Sequence, residues 1–454
     1  MYGSRSETPQ VSPGGLVPGQ QVTATTALSV QANFLAAFIR YDLGDPATGK
    51  VKELAQTDPY APFNWTPGWA DNGERTVQAV VYDRLGQAYP GPVVPVRVAV
   101  ERKLVFKGPA AGAVLDGPVN LGVSLNFSAR RVQYILRDPD SGREEVLATV
   151  EGASGYRWFP GPDQAGRREL WAVVTDDQGN TFRTGTVEVE VKGTPRLLLT
   201  SVGPKQVLAG AVQLRSQSNV PLTGIEYELI NPKTGAVRAI AGGADALAAY
   251  NWTPAQGDAG SWQLRAVGTR SSGEKLLSES IPVRVHTGKL YGPQPITEKD
   301  KFLDLASGLA KDVQAKTGMS AALQVAQAIL ETGWGQSSPV DKYTGRRSNN
   351  LFGIKGQGPA GSVTSNTWEE YNGVTFQVEA AFRAYHNVSE SWADHQQLLL
   401  TGSRYEGFRE VMYNSVQGAW AMKRAGYATD SKYPLKLMDI IRRYQLDRLD
   451  EVGI

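Results

Sequence analysis

The sequence predicts a multidomain chain in which three all-β sandwich repeats precede an α-rich domain of the α+β class. Three observations predict it. A tryptophan-centred block recurs at Trp65, Trp158 and Trp252, spaced 93 and then 94 residues apart. Apolar and polar residues alternate with period two through most of the chain up to Val285. Beyond the stiff connector Tyr291-Gly-Pro-Gln-Pro the apolar residues fall at helical spacing instead.

The repeats align segment by segment. Phe63-Asn-Trp-Thr-Pro, Tyr156-Arg-Trp-Phe-Pro and Tyr250-Asn-Trp-Thr-Pro each lead into a strand-like segment opening at Gly73, Gly166 or Gly260. Upstream lie Phe38-Ile-Arg-Tyr-Asp, Val132-Gln-Tyr-Ile-Leu and Ile225-Glu-Tyr-Glu-Leu. Each unit closes on Val94-Pro-Val-Arg-Val, Val187-Glu-Val-Glu-Val or Ile281-Pro-Val-Arg-Val. Short alternating strands bounded by Gly, Pro and Asp, in units of about 90 to 100 residues, are the pattern of a β-sandwich. The units resemble immunoglobulin-like bacterial wall modules. They are placed at 20–101, 102–193 and 194–288, with a linker at 289–296 and the last domain at 297–454. The recurrent Trp is most simply a core residue; the sharper alternative is a platform on which a sugar stacks. Asn64-Trp-Thr and Asn251-Trp-Thr match a glycosylation acceptor, but they belong to the repeat and are expected in turns.

Composition narrows the chemistry. A net charge of +2 lacks the concentrated basic footprint of a nucleic-acid binder. There is no cysteine, hence no disulfide and no thiolate site. His286, His386 and His395 are not at metal-ligand spacing, so they are expected to be ordinary surface or core residues, and no metal or cofactor is called for. No run is long enough to span a bilayer. The start, Met1-Tyr-Gly-Ser, reads as a trimmed end, compatible with a removed export signal. Any catalysis falls to carboxylates, hydroxyls or tyrosines.

In the last domain, Thr297 with Asp300 forms a plausible capping box for a helix carrying Phe302, Leu305, Leu309 and Val313 and ending at Gly318. Ser320 can cap a second helix, apolar nearly all round, that runs to Glu331 and stops at Gly333. Further helices are expected at about 390–400, 404–412, 415–424 and 434–446. Glu331 is the odd residue. Burial disfavours its charge, and so does the negative end of a helix. Both raise its pKa, which suits a general acid. The plain alternative is a glutamate fraying into solvent at an ordinary helix stop.

A second carboxylate comes from a hairpin. Asn372-Gly373 is a strong turn signal joining Thr367-Trp-Glu-Glu-Tyr371 to Val374-Thr-Phe-Gln-Val378. A two-residue turn puts Glu369 on one face with Tyr371, Val374, Phe376 and Val378, and Glu370 on the polar face. Glu369 is then the lone charge on an apolar face; a one-residue slip exchanges the two. An apolar helix ending in Glu, with a carboxylate-bearing hairpin opposite, is the plan of a lysozyme-like cleft. Paired carboxylates across a cleft are the chemistry of glycoside hydrolysis.

Three motifs carry a resemblance. Ala328-Ile-Leu-Glu-Thr-Gly-Trp-Gly335, Asn349-Asn-Leu-Phe-Gly-Ile-Lys355 and Tyr427-Ala-Thr-Asp-Ser-Lys-Tyr433 resemble glycoside hydrolase family 73, the family of autolysin glucosaminidases, over about 297–446. The resemblance implies an α-rich lysozyme-like fold with a small β-lobe. It implies cleavage of the β-1,4 bond on the reducing side of N-acetylglucosamine in peptidoglycan, by an extracellular or wall-associated enzyme. It places the acid on Glu331, the second acid on Glu369 in Thr367-Trp-Glu369, and further site roles on Tyr427 and Tyr433. Asn350 and Phe352 match the cleft-lining motif, and Asp430 precedes Ser431 where the family usually has proline. Tyr427 is otherwise a packed tyrosine before a helix cap. Trp334 and Trp368 either stack on sugars or pack. The rival functions are a muramidase or lytic transglycosylase, which cut the other glycosidic bond, and a non-catalytic wall-binding stalk. The repeats are expected to be spacers or wall-polymer-binding modules.

Overall fold

The computed structural model describes residues 8–371 and 374–451. The chain forms two compact units that do not follow sequence order. The first comprises Met1–Glu101, Leu290–Ser365 and Ala381–Ile454; the second comprises Arg102–Lys289 and Asn366–Ala380.

In the first unit, residues 11–98 form two sheets around one core. Five strands run in the order Gln20–Val22, Ala88–Val98, Gly73–Asp83, Ala36–Gly44, Val51–Thr57; three run in the order Val11–Gly14, Thr26–Ala32, Phe63–Trp65. Alternation turns Val77, Ala79 and Val81 of one strand, and Val94, Val96 and Val98 of the next, onto the same core as Ile39, Tyr41 and Trp65. The short first strand of the larger sheet is parallel to its neighbour, while the other pairs are antiparallel.

The second unit builds this plan twice more. The large sheets again carry a parallel edge strand, at Ala113–Leu115 and at Val207–Leu208. The register shift at Tyr41/Asp42 recurs at Tyr134/Ile135 and Tyr227/Glu228, so even the bulge is part of the repeat. Trp65, Trp158 and Trp252 are 2%, 2% and 7% exposed. They are core residues, which removes the sugar-platform reading for all three. Burying a side chain of that size is worth several kcal/mol, and truncation to Ala costs about 3–5 kcal/mol. Asn64 and Asn251 sit in short strands, not in turns as expected. After each Trp strand a single 3-10 turn is closed by its third residue: Asp71 accepts from Gly68 N, Gln164 from Gly161 N and Asp258 from Ala255 N.

The remainder of the first unit is helical. Helix α1 is Phe302–Thr317, α2 Ala321–Thr332, α3 Val388–Thr401, α4 Glu406–Arg409, α5 Ser415–Arg424 and α6 Tyr433–Arg443. Thr297 does not cap α1. A 3-10 turn, Lys299–Lys301, precedes it, with Glu298 at the cap position and no side-chain bond. Gly318 ends α1 in the left-handed region, φ 77°. Ser320 does cap α2, its Oγ accepting from Leu323 N at 3.1 Å. The Asp450 carboxylate adds to that cap, accepting from Ala321 N at 2.6 Å and Ala322 N at 3.2 Å. A negative charge there meets the positive helix end. α2 is buried from Ala321 through Ile329, as its all-round apolar sequence requires, and packs against α1, α5 and α6. α6 stops at Arg443, short of the expected 446, because Gln445 turns left-handed at φ 53° and a 3-10 turn follows. Among the described residues, no helix is long and apolar enough to cross a membrane.

The strands Ser362–Tyr371 and Val374–Arg383 pair as a two-stranded sheet. Asn372 and Gly373, the expected turn, lie outside the described residues. The far part of this hairpin, Asn366–Ala380, groups with the second unit and not with the rest of the 297–454 segment. The reason is Phe376, which is 8% exposed. Its ring lies so close over Gly203 that an added Cβ would come within 2.7 Å of it. Tyr371 Oη also donates to Glu279 Oε2 at 3.1 Å.

Candidate active site

α2 delivers Glu331. Gly333 ends that helix in the left-handed region, φ 55°, and Trp334 follows at φ 66°, a conformation uncommon for a bulky side chain. Glu331 is exposed at this end, where the sequence left burial and fraying into solvent as alternatives. Protein atoms nevertheless crowd the carboxyl, and that partial loss of water raises it above the ordinary carboxylate value. Tyr433 Oη donates to Glu331 Oε1 at 3.1 Å. That bond favours the charged form and pulls the other way, but the loss of water is the larger effect.

The direction of this bond is set one helical turn back. Gln327 Nε2 donates to Tyr433 Oη at 3.1 Å, so the phenol spends its own hydrogen on Glu331. Tyr433 is buried at the start of α6, and burial drives its pKa upward; it stays neutral.

Tyr427 lies beside Tyr433, ring centroids 5.6 Å apart. Burial first, then the charge of Glu331, raise its pKa. Behind it stands His395, whose Nε2 lies 2.7 Å from Tyr427 Oη. Burial pushes that imidazole down to about 3, so it is neutral. Gln396 Nε2 donates to His395 Nδ1 at 3.0 Å. Gln396 and Tyr427 thus occupy the two ring nitrogens of His395 from opposite sides.

Phe352 stacks on His395, centroids 3.8 Å apart and planes 11° apart, with its edge against Trp392. Asn350 is placed differently from expectation. It is fully buried, and its Nδ2 donates to Ile354 O and Arg383 O, both at 2.9 Å, while Oδ1 accepts from Ile354 N. It shapes the loop that holds Phe352 and has no surface left for a ligand. Asp430 organises the turn before α6: Oδ1 accepts from Lys432 N at 2.8 Å and Oδ2 pairs with Lys436 at 2.7 Å, which lowers its pKa. Trp334 packs edge-on against Tyr444, centroids 4.7 Å apart.

Glu369 and Glu370 belong to the second unit. Both are exposed, and both line a cavity of about 170 Å³ with Gly203, Pro204, Lys205 and Phe376. Phe376 and Val378 do form a buried face, but burial does not separate the two glutamates as the sequence argument expected. Trp368, 65% exposed, does not pack. Among the described residues no cluster of His, Cys, Asp and Glu has the form of a metal site.

His395 was expected to be ordinary, and neither Gln396 nor Gln327 was expected at the site. A signal existed: Trp392, His395, Gln396 and Leu399 form one stripe of α3 at helical spacing, and all four are buried. Polar residues on a buried stripe need partners.

Glu331 thus sits at a helix end, bonded by buried Tyr433, which Gln327 bonds in turn. Residues 307–446 match the family model described as mannosyl-glycoprotein endo-beta-N-acetylglucosaminidase. This segment is a glucosaminidase domain of glycoside hydrolase family 73. The chain is similar to exo-glucosaminidase LytG of Bacillus subtilis, 36% identical over 181 residues that cover 39% of this chain and 60% of the relative. It is also similar to the peptidoglycan hydrolase FlgJ of Escherichia coli, 39% identical over 171 residues that cover 37% of this chain and 52% of the relative. The glycoside hydrolase domain of Salmonella typhimurium FlgJ, a solved structure, is 34% identical, covers 33% of this chain and 98% of its own, and has a TM-score of 0.29. The chain thus spans between about half and three-fifths of the length of these curated relatives.

Proposed function

We propose that the helical domain, placed at 297–454, is a lysozyme-like catalytic domain that hydrolyses the β-1,4 bond on the reducing side of N-acetylglucosamine in peptidoglycan. The single observation that carries the proposal is Glu331 at the end of buried α2, its pKa raised by loss of water and its carboxyl held by Tyr433. A carboxyl that keeps its proton can protonate the leaving oxygen. Positive charge then develops on the sugar, and two routes can answer it. Glu369 activates a water, with inversion. Alternatively the substrate's acetamido oxygen attacks, oriented by the Tyr427 hydroxyl, which neutral His395 fixes from behind. Tyr433 bonds the acid, Phe352 stacks on His395, and Trp334 follows the helix end and packs on Tyr444; Asn350 and Asp430 hold the loops that carry Phe352 and Tyr433.

The partner is the peptidoglycan glycan strand, and the place of action is the cell wall, outside the membrane. This reading draws support from the relatives, one an exo-glucosaminidase and the other a peptidoglycan hydrolase. The three repeats, placed at 20–101, 102–193 and 194–288, are immunoglobulin-like sandwiches, and the second and third are the candidates for spacing the enzyme or binding wall polymer. The test is lysis of purified peptidoglycan by the parent and by Glu331→Gln. The parent should lyse it and the variant should not, with an unchanged circular dichroism spectrum. A fully active Glu331→Gln would sink the assignment.

A further inference from the structure

The segment 425–432, which carries Tyr427, is strung between α5 and α6. It is tied to both. Tyr427 N donates to Met422 O at 3.0 Å, and Lys423 Nζ donates to Ala428 O and Thr429 O, each at 2.9 Å. At the other end Tyr433 N donates to Asp430 O at 3.2 Å, and Asp430 pairs with Lys436 of α6. The position of the loop therefore follows the positions of these two helices.

Residues of the first repeat cover the outward faces of both helices. Ala37, Val416 and Trp420 are buried together, with Phe38, Leu435 and Met438 packed around them. These residues belong neither to the core of the repeat nor to the core of the helical domain. Trp420 Nε1 donates to the Ala37 carbonyl at 2.7 Å, so the indole has its only polar atom answered by the repeat. Arg424, at the end of α5, pairs with Asp58. On α6, the Arg442 guanidinium lies over Gly86, where an added Cβ would meet it at 2.5 Å. A flexible spacer needs none of this. A surface Trp would be left exposed on α5 if the repeat were elsewhere.

We propose that the first repeat is a positioning part of the catalytic domain: by gripping α5 through Trp420 and α6 through Leu435, Met438 and Arg442, it sets the 425–432 loop and with it Tyr427. The proposal rests on the hydrolase reading above for its catalytic consequence. Trp420 acts through the loop and touches no substrate.

The test uses the full chain. Ala37→Glu drives a carboxylate against Val416 and Trp420 while leaving the repeat's own core intact. Two readouts are taken. Hydrogen exchange of the 425–432 amides should be faster than in the parent, with α2 unchanged. On purified peptidoglycan kcat should fall about tenfold with KM within about twofold, as a displaced orienting group predicts. Asp58→Ala, at the rim of the same contact, should move both readouts the same way by less. Unchanged loop exchange in both variants would overturn the grip itself. Faster exchange with unchanged kcat would overturn its catalytic role. If the parent lyses no peptidoglycan, the hydrolase reading fails instead, and loop exchange still decides whether the repeat holds the loop.

Discussion

Glu331 and Glu369 stand on contrasting supports. Glu331 ends a helix buried along nearly its whole length, its carboxyl crowded by protein and bonded by Tyr433, which Gln327 in turn fixes. Glu369 lies on an exposed stretch of strand between exposed Trp368 and exposed Glu370. The contrast suits the division of labour proposed above. An acid needs surroundings that keep its proton, while a group that activates water needs access to water. It also separates a single choice from a double one: α2 can aim only one carboxylate, whereas the hairpin offers two, Glu369 and Glu370.

The largest expected effect tests the acid. Glu331→Gln should lower kcat on peptidoglycan by about a thousandfold or more, with folding intact. Next comes its partner. Glu369→Gln should cost about a hundredfold on the water-activating route, and Glu370→Gln less than about twofold. A reversal of the two would mean the hairpin is shifted by one residue. Near-normal activity of both would favour attack by the acetamido group. On that route Tyr427→Phe should be the larger loss, and on either route it should cost about tenfold in kcat.

A smaller effect concerns pH. On the proposed mechanism Glu331 acts protonated, so kcat/KM should fall as pH rises through its raised pKa. Tyr433→Phe deletes a bond that favours the carboxylate, so the alkaline limb should move to higher pH, by about half a unit to one unit. A shift to lower pH would contradict the assigned donor direction. The smallest effect is on stability. Folding raises the Glu331 pKa, so this group's contribution to stability is full below the unfolded value and declines as pH rises through the folded one. Glu331→Gln removes that decline. Its Tm should match the parent below about pH 4 and exceed it at neutral pH.

Much of the local structure was legible in the sequence. Trp65, Trp158 and Trp252 announced the repeats because a packed core tolerates little change at its centre. α2 was legible because a helix apolar on every face has to be buried. The surroundings of Glu331 were not: Tyr427 and Tyr433 reach it across about a hundred residues of chain, and only folding brings them there. His395 was read as ordinary, since its meaning lies in a partner on another element. The grouping of the far part of the hairpin with the second unit was equally hidden, because Gly203 marks nothing until Phe376 lies over it. Thr297 looked like a cap and is not, because a 3-10 turn shifts the helix start past it.

The measurement that bears most directly on the central claim is the chemistry of the new ends released from purified peptidoglycan by the parent chain. Borohydride reduction before hydrolysis labels whichever sugar has gained a reducing end. The account predicts reduced N-acetylglucosamine. Reduced N-acetylmuramic acid would instead mark a muramidase, and anhydromuramic ends a lytic transglycosylase; either would contradict it.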